Sequence, residues 1–387
     1  MAGPRVMILA GEASGDIHGA GLVAAMQEMN PGLELCGMGG DKMRQAGVDT
    51  MVDAAEMSMV GLVEIISQLA AVYKARRILL DSLQQSPPRL LILIDFPEFN
   101  LMIARKARRT GIPVLYYIPP QVWAWRSGRA QKIARIVDEI GVILPFEEEF
   151  YNKRGIPAHF VGHPLMDCVR VFMSSREFRQ KYAVPENDLL IGILPGSRRR
   201  EIKTMLPIFL KSGEKLRERH DGLSFVLPRA STVTRADLEE AGLASSSLKV
   251  KVIDQDHYTT MAAFDLAIAA SGTVTLELAI LGVPMVVAYR LSPLTYFIGK
   301  RLAKVKFASL VNLIAGREVI PEYLQGRAVP ENLARALEEL RPGEPARERM
   351  ITELKQVRER LGGGGASYRA AGLALNLLKR DNKTSHD

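Results

Sequence analysis

The chain has 387 residues, of which 47% are hydrophobic and 24% are charged. This length exceeds one ordinary hydrophobic core and favours two domains, and the composition excludes a disordered or fibrous protein. Two widely separated cysteines, Cys36 and Cys168, support neither a disulfide framework nor a zinc site, which favours a reducing cytoplasm. The net charge of +8 favours an anionic partner, such as a nucleotide, a phosphorylated substrate, a nucleic acid or a membrane surface.

The first half of the chain predicts alternating strands and helices, which is the pattern of a Rossmann-like domain. An apolar strand at residues 6–9 follows the N-terminus directly, so we expect no secretory signal peptide, and no apolar run has the length of a membrane span. A glycine-rich loop at residues 11–16 joins this strand to a helix predicted at residues 17–29. Further strands are predicted at residues 33–36, 90–94, 114–117 and 140–144.

Two acidic residues of this half are the main candidates for catalysis, and Asp16 and His18 are further ones. Asp95 follows the apolar strand at residues 90–94, and the carboxyl ends of parallel strands line the ligand crevice of such a sheet. A carboxylate in that position can act as a general base toward an incoming hydroxyl group. Glu12, in the first loop, is the second candidate. The alternative is that these acids only cap the helices that follow them.

A helical pattern that begins at Met59 is apolar over most of its circumference through residue 72. Three basic residues, Lys74, Arg76 and Arg77, follow it closely. An apolar helix that ends in a basic cluster can lie on an anionic membrane surface or contact acyl chains. The alternative is a helix buried between the sheet and a neighbouring helix.

The second half repeats the pattern, with strands predicted at residues 191–194, 225–227, 250–253, 266–269 and 285–288. Its first turn contains Gly196, Ser197 and Arg198, between an apolar strand and a polar helix start. A glycine that lets the backbone approach a ligand, free N–H groups at a helix start and an arginine together favour an anion site. The alternative is a turn with a solvated basic face.

A second turn of the same kind contains Ser271, Gly272 and Thr273, after a later apolar strand. Its small residues, two hydroxyl groups and helix start can hold a phosphate, and Glu277, one turn into the helix, can accept hydrogen bonds from a ribose diol. Two phosphate-type turns in one half predict a nucleotide diphosphate. The alternative is that the segment only caps the helix.

These patterns predict an α/β fold with two Rossmann-like domains that face a central cleft. We place the N-terminal domain at residues 1–170 and the C-terminal domain at residues 171–361. Residues 362–387 begin with four glycines and continue into a helix predicted at residues 367–379. We expect that helix to cross back to the first domain.

Eight segments, in order along the chain, resemble the lipid-A-disaccharide synthase family. They are residues 11–16 (GEASGD), 94–100 (IDFPEFN), 120–126 (PQVWAWR), 144–147 (LPFE), 162–164 (GHP), 194–198 (LPGSR), 270–273 (ASGT) and 312–318 (NLIAGRE). A single segment such as LPGSR is only moderately specific. The ordered set, especially the segment with two tryptophans, is hard to obtain by chance.

The resemblance implies an inverting glycosyltransferase of the two-Rossmann-domain, GT-B type that needs no metal. It implies that UDP-2,3-diacylglucosamine is joined to 2,3-diacylglucosamine 1-phosphate through a β-1,6 bond, with release of UDP, in lipid A biosynthesis. The UDP-sugar is a substrate, so no cofactor is expected. The N-terminal domain then takes the acceptor on the membrane side, and the C-terminal domain binds the UDP-sugar.

The resemblance also assigns roles at the matching positions. Asp95 matches the family's essential aspartate, and Glu12 matches the acid of the first loop. Arg198 and Asn312 match residues needed near the diphosphate, and Glu277 matches the ribose-binding glutamate of this fold.

The same resemblance implies a cytoplasmic enzyme that is attached peripherally to the inner membrane. The helix at residues 59–72 is the expected contact, because both substrates carry acyl chains. A homodimer is left open, and no nucleic-acid partner is expected.

Two other functions remain open from the sequence. A UDP-sugar epimerase, or a transferase with a soluble acceptor, would share the fold and the nucleotide site. A non-enzymatic binder of nucleotides or nucleic acid would explain the positive charge, although the basic residues are dispersed and the few aromatic residues form no stacking platform.

Overall fold

A computed structural model describes residues 3–57, 65–125, 127–292, 296 and 305–384. The chain divides into two compact units. Unit 1 contains Met1–Asp167 and Leu361–Asp387, and unit 2 contains Cys168–Arg360. The division falls close to the boundary predicted after residue 170, and the final helix belongs to unit 1.

The strands of unit 1 form one parallel sheet of seven strands in the order β3-β2-β1-β4-β5-β6-β7. They are β1 (Arg5–Ala10), β2 (Glu34–Gly39), β3 (Asp49–Asp53), β4 (Leu90–Ile94), β5 (Val114–Tyr117), β6 (Glu139–Val142) and β7 (Ala158–Phe160). The strands of unit 2 form a parallel sheet of six strands in the order β10-β9-β8-β11-β12-β13. They are β8 (Leu189–Leu194), β9 (Leu223–Pro228), β10 (Val250–Ile253), β11 (Leu266–Ala270), β12 (Met285–Tyr289) and β13 (Glu322–Leu324).

The helices of the described residues connect these strands. Those before the division are α1 (Ala13–Met29), α2 (Asp41–Gln45), α3 (Ile65–Gln85), α4 (Pro97–Arg109), α5 (Val122–Trp125), α6 (Ala130–Ala134), α7 (Pro145–Asn152) and α8 (Leu165–Cys168), which ends at the division. Those after it are α9 (Ser175–Lys181), α10 (Arg199–Arg217), α11 (Arg235–Leu238), α12 (His257–Ala262), α13 (Val274–Leu281), α14 (Leu310–Ala315), α15 (Pro330–Glu338), α16 (Pro345–Arg360) and α17 (Ala366–Thr384). Single turns occur at Ala54–Met57, Ser127–Arg129, Glu239–Leu243 and Gln325–Arg327.

Helices cover both faces of the sheet of unit 1. Val6 and Ile8 of β1 share a core with α1 and α17, whereas Met7 and Leu9 share a core with α3 and α4. All four side chains are fully buried. Because successive side chains of a strand point to opposite faces, a strand that is buried on both faces is a continuous apolar run, as predicted here.

All the predicted strands are present, although β2 continues to Gly39, beyond its predicted end at residue 36. The edge strands β3, β7 and β13 were not predicted, whereas the edge strand β10 was. These three are short and only partly buried, so their sequences lack the apolar run of a central strand.

The predicted end of the first loop, at residue 16, is wrong, because α1 already begins at Ala13. Its glycines Gly15 and Gly19 face β1, β4 and α2 so closely that a side chain would contact Ala10 or Met43. The sequence favoured a loop at Gly15 and a helix at Gly19, and in the structure both glycines allow the close packing of α1.

The final helix α17 packs against α1 within unit 1. Ala370, Ala371 and Ala374 are buried at this contact, where small side chains allow the helices to approach. The carboxylate of Asp167 accepts hydrogen bonds from Gly365 N (2.6 Å) and Ala366 N (3.1 Å), and so caps the start of α17.

The apolar helix predicted from Met59 lies partly outside the described residues, which resume at Ile65 with α3. Within α3, Ala75 and Leu79 are buried in the core, whereas Tyr73 is 65% exposed and Arg77 pairs with Asp81 at 3.7 Å. None of the helices in the described ranges combines the length and the hydropathy needed to cross a bilayer.

A buried histidine gives unit 1 a dependence of stability on pH. His163 is 5% exposed, and its Nδ1 accepts a hydrogen bond from Leu165 N at 3.2 Å. Burial, with a smaller contribution from nearby His18, lowers the pKa of His163 from 6.5 to about 4. Below pH 6.5 the unfolded chain therefore binds a proton that the folded chain does not, so this contribution to stability falls with decreasing pH.

We expect His163→Gln to reduce the loss of unfolding free energy between pH 7 and pH 5 by about 2 kcal/mol. Tryptophan fluorescence during urea unfolding measures this, because the chain's only tryptophans, Trp123 and Trp125, both lie in unit 1. An identical pH dependence in the wild type and the variant would contradict the assignment.

Candidate active site

The two predicted phosphate turns of unit 2 lie side by side at the carboxyl ends of β8 and β11. Together they line a cavity of about 370 Å³. Of the predicted site residues, the cavity is lined by Gly196, Ser197, Arg198, Ser271, Gly272, Thr273 and Glu277. Residues that were not predicted also line it, among them Glu201, Arg229, His257 and Tyr289.

The first of the two turns is already occupied by a carboxylate of the chain. Glu201 Oε2 accepts hydrogen bonds from Ser197 N (3.1 Å) and Arg198 N (3.3 Å). Gly196 has φ +116°, and an added Cβ there would lie 2.5 Å from Glu201 Oε2. The glycine thus makes room for Glu201. The amides that were predicted to bind a phosphate donate to this carboxylate, which caps the helix start.

The second turn has open amides. The N–H groups of Gly272 and Thr273 have no acceptor among the residues that the structure describes. An added Cβ on Gly272 meets no atom within 4 Å, so the turn faces open space. Because α13 starts directly after this turn, its dipole adds to the attraction for an anion.

Arg198 and Glu277 lie on the same cavity. The Arg198 side chain is 82% exposed and contacts Glu201 at 3.7 Å, so it can turn toward an anion in the cavity. The Glu277 side chain is 14% exposed, with the Tyr258 hydroxyl at 3.5 Å and His257 Nε2 at 3.8 Å. A carboxylate in this position can accept hydrogen bonds from a diol.

Asn312 is not among the residues that line this cavity, although the resemblance places it near the diphosphate. It is fully buried. Its amide nitrogen donates to the Ile320 carbonyl (2.9 Å) and to Glu322 (2.8 Å), and its oxygen accepts from Val319 N (2.7 Å) and Ile320 N (3.0 Å). All four hydrogen-bonding positions of the amide are used within the protein, so Asn312 holds the chain that surrounds it.

Two of the unpredicted cavity residues, Glu201 and Tyr289, contact each other. The Tyr289 hydroxyl donates to Glu201 Oε1 at 3.1 Å and so fixes the carboxylate in the turn. A signal for Glu201 was present, because a glutamate three residues after the N-cap position is typical of a helix start. Tyr289 ends a later strand and carries no local signal.

In unit 1, Asp95 lies in a strained turn at the end of β4. Asp95 and Phe96 have φ values of 47° and 46°, in the left-handed region that residues other than glycine adopt at a cost of about 1–3 kcal/mol each. The helix α4 begins at Pro97 with Phe96 at the N-cap position, so Asp95 precedes the helix instead of capping it. Strain of this kind is concentrated at functional sites.

Three neighbours hold the strained turn. The Asn100 amide nitrogen lies 2.9 Å from the Asp95 carbonyl, and the Tyr116 hydroxyl donates to the same carbonyl at 2.9 Å. Gly11 lies against the ring of Phe96, where an added Cβ would be 2.3 Å from the ring. This close approach explains why the first loop begins with glycine.

Burial raises the pKa of Asp95, and a hydrogen bond from the Phe96 amide opposes this only in part. A raised pKa makes the carboxylate a stronger base than an exposed aspartate. Glu12 occupies the N-cap position of α1, but its side chain makes no capping hydrogen bond there. The structure therefore does not support the alternative that Glu12 only caps the helix.

Trp123 contacts a buried glutamate of the same unit. Its Nε1 donates to Glu147 at 2.8 Å, and its ring meets Phe146 edge to face at 4.8 Å. Burial raises the pKa of Glu147 to about 7. Trp123 is therefore fixed by packing, and the side chain of Trp125 lies outside the described residues.

No group of three or more His, Cys, Asp and Glu side chains suited to a metal ion occurs in the part of the chain that the structure describes. Neither Cys36 nor Cys168 forms a disulfide.

A family model for lipid-A-disaccharide synthetase matches residues 6–370. The lipid-A-disaccharide synthase of Geobacter metallireducens is 47% identical over 374 residues, which are 97% of each chain. That of Geobacter sulfurreducens is 46% identical, again over 97% of each chain. The chain belongs to the lipid-A-disaccharide synthase family. It is a glycosyltransferase of lipid A biosynthesis, as the resemblance of its motifs implied.

Solved structures of much lower identity share the fold. A UDP-N-acetylglucosamine 2-epimerase homologue from Listeria monocytogenes has a TM-score of 0.65 at 15% identity and covers 99% of this chain and 98% of its own. The UDP-GlcNAc 2-epimerase of Neisseria meningitidis, solved with UDP-GlcNAc bound, has a TM-score of 0.61 and 13% identity, and the match covers 97% of this chain and 100% of that one. MurG of Acinetobacter baumannii has a TM-score of 0.57 and 16% identity, and the match covers 96% of this chain and 99% of that one. These likenesses confirm the predicted GT-B fold.

Gly11→Ala tests whether the turn of Asp95 serves the reaction. The new Cβ would displace the Phe96 ring, and we expect a loss of turnover of about 100-fold, because a shift near 1 Å misplaces the carboxylate. Gly372→Ala is the control, since a Cβ there meets nothing within 4 Å and α17 should keep its stability. Equal turnover in the two folded variants would show that the turn is not required.

Proposed function

We propose that this chain joins UDP-2,3-diacylglucosamine to 2,3-diacylglucosamine 1-phosphate, forming the β-1,6-linked lipid A disaccharide 1-phosphate and UDP. The match to the family over residues 6–370 carries the proposal. The unit 2 cavity supports the donor assignment, because it combines an open helix start, an exposed arginine and a carboxylate suited to a ribose. In the same fold, the Neisseria protein binds UDP-GlcNAc.

We place the diphosphate of the donor at the open amides of Gly272 and Thr273, with the Arg198 guanidinium as its cationic partner. In that position Glu277 accepts hydrogen bonds from the ribose hydroxyl groups. As the bond to the sugar breaks, negative charge grows on the diphosphate, and preorganised N–H groups and a guanidinium stabilise that charge without reorganisation. These groups of the protein supply the compensation in our proposal, so we expect activity to persist in the presence of a chelator.

The reaction is a single in-line displacement in this proposal. Asp95 takes the proton from the acceptor's 6-hydroxyl group while that oxygen attacks the anomeric carbon from the face opposite UDP. The bond from the anomeric carbon to the diphosphate oxygen breaks, and the configuration inverts. Glu12, on the neighbouring loop of unit 1, is the second acid of the acceptor side.

We further propose that the enzyme works in the cytoplasm at the inner-membrane surface, through the segment that leads into α3. The substrates carry acyl chains, and an apolar segment followed by basic residues suits an anionic bilayer surface. The exposed Tyr73 and Arg77 of α3 are consistent with an interfacial contact.

Product formation in detergent tests the reaction and its base together. Mass spectrometry of mixtures containing both substrates should detect disaccharide phosphate and UDP with the wild type. Asp95→Asn should lower the rate by about 100- to 10,000-fold, because general-base catalysis supplies that much. Asp41→Asn is the matched control, since the Asp41 side chain is 80% exposed. A folded Asp95→Asn variant with the wild-type rate would remove Asp95 from the mechanism.

The pH profile should report the raised pKa of Asp95. A base works only when it is deprotonated, so kcat/KM should fall as the pH decreases through that pKa. Because burial raises this pKa, kcat/KM should begin to fall at a pH above about 4, which is the ordinary pKa of an aspartate. A profile measured from pH 4 to 9 that stays flat down to pH 4 would contradict this.

A further inference from the structure

A carboxylate at the edge of the unit 2 sheet holds the segment that supports the open turn. Glu322, on β13, accepts three hydrogen bonds. Its Oε1 accepts from Asn312 Nδ2 (2.8 Å) and Ser309 N (2.9 Å), and its Oε2 accepts from Ala308 N (2.8 Å). Hydrogen bonds to a charged acceptor are stronger than neutral ones, so this carboxylate fixes the path of the chain at residues 308–309.

The start of α14 is fastened in the same place. Ser309 is its N-cap residue and accepts from Asn312 N at 3.2 Å. Ser309 and Asn312 are both fully buried. The segment that carries Ala308 is therefore held by β13 on one side and by α14 on the other.

The peptide group between Ala308 and Ser309 connects this support to the cavity. Its N–H donates to Glu322, and its carbonyl oxygen accepts from the Ser271 hydroxyl at 3.0 Å. Hydrogen bonds that share one peptide group polarise one another, so the contact with the carboxylate strengthens the contact with the serine.

The hydroxyl hydrogen of Ser271 is used in this contact, because a serine has only one hydrogen to donate. In this structure Ser271 anchors its turn, whereas the sequence predicted it as a phosphate ligand. The anchored turn then presents the N–H groups of Gly272 and Thr273 to the cavity.

We propose that Glu322 is a positioning residue for the donor diphosphate. Through the Ala308–Ser309 peptide group it holds Ser271, and Ser271 keeps the amides of Gly272 and Thr273 aimed at the anion. The inference rests on the proposed function, in which this turn binds the diphosphate of a UDP-sugar. The buried Asn312 contributes by orienting Glu322, to which its amide nitrogen donates.

Binding of UDP to the full-length chain, measured by calorimetry, tests the proposal. Glu322→Gln keeps an oxygen for Ser309 N and Asn312 Nδ2 but places an NH2 group against Ala308 N, which should displace the Ala308–Ser309 peptide group from Ser271. We expect the Kd for UDP to rise about tenfold, the equivalent of roughly one charge-assisted hydrogen bond. The KM for the donor should rise similarly, with kcat less affected. Glu318→Gln, at an exposed position nearby, makes the same charge change and should bind UDP like the wild type.

A double-mutant cycle separates positioning from general destabilisation. Ser271→Ala removes the same connection from its other end. If Glu322 acts through Ser271, the double variant should lose no more UDP affinity than the weaker-binding single variant, because the two changes interrupt one connection. Losses that multiply, or a Glu322→Gln variant that binds UDP like the wild type, would overturn the proposal.

The outcome is distinguishable from a failure of the proposed function. A wild type that binds UDP but forms no disaccharide would contradict the function and leave the cycle measurable. If Glu322→Gln does not fold, amide hydrogen exchange of the wild type and of Ser271→Ala provides the test instead. UDP should slow exchange at Ala308 and Ser309 in the wild type and should slow it clearly less in Ser271→Ala. Equal slowing in both proteins would overturn the role of this connection.

Discussion

The site depends on which backbone N–H groups at the ends of the strands find an acceptor inside the protein. Such groups are costly to leave without a partner when they are buried, and near a helix start they attract anions. Three carboxylates of the chain accept hydrogen bonds from such N–H groups, each at a different turn. Asp16 accepts from the N–H groups that open α2, Glu201 from those that open α10, and Glu322 from those before α14. Of the two predicted phosphate turns, the one at residues 271–273 keeps its amides open, and this difference is why we propose it for the substrate's own anion.

In our proposal the two units carry different chemistry. Unit 2 offers preorganised donors for the charge that develops on the leaving group, and unit 1 offers Asp95 as the base. The backbone of Asp95 is strained, its carbonyl is held by Asn100 and Tyr116, and its burial raises its pKa. Stabilisation of the leaving group and proton removal from the acceptor are the two tasks of the proposed transfer.

Much of the fold could be predicted from the sequence, because buried parallel strands are uninterrupted apolar runs that end in glycine, proline or aspartate. Strands β4 and β5 show this best. The beginning of α1 could not, because Gly15 and Gly19 serve helix packing there and only the folded structure reveals the neighbours. The two turns of unit 2, Glu277, Asp95 and Glu12 were predicted from local patterns, and Asn312 was predicted only from the resemblance to a family. The buried location of Asn312 and the anchoring hydrogen bond of Ser271 depend on Glu322, which is distant in sequence and carries no local signal.

A structure of the protein with UDP bound would test most directly the claim that internal carboxylates select the phosphate site. Our account predicts that oxygens of the diphosphate lie within hydrogen-bond distance of the amides of Gly272 and Thr273, while Glu201 stays on the amides of Ser197 and Arg198. A diphosphate bound to the amides of Ser197 and Arg198, with Glu201 displaced into solvent, would contradict it.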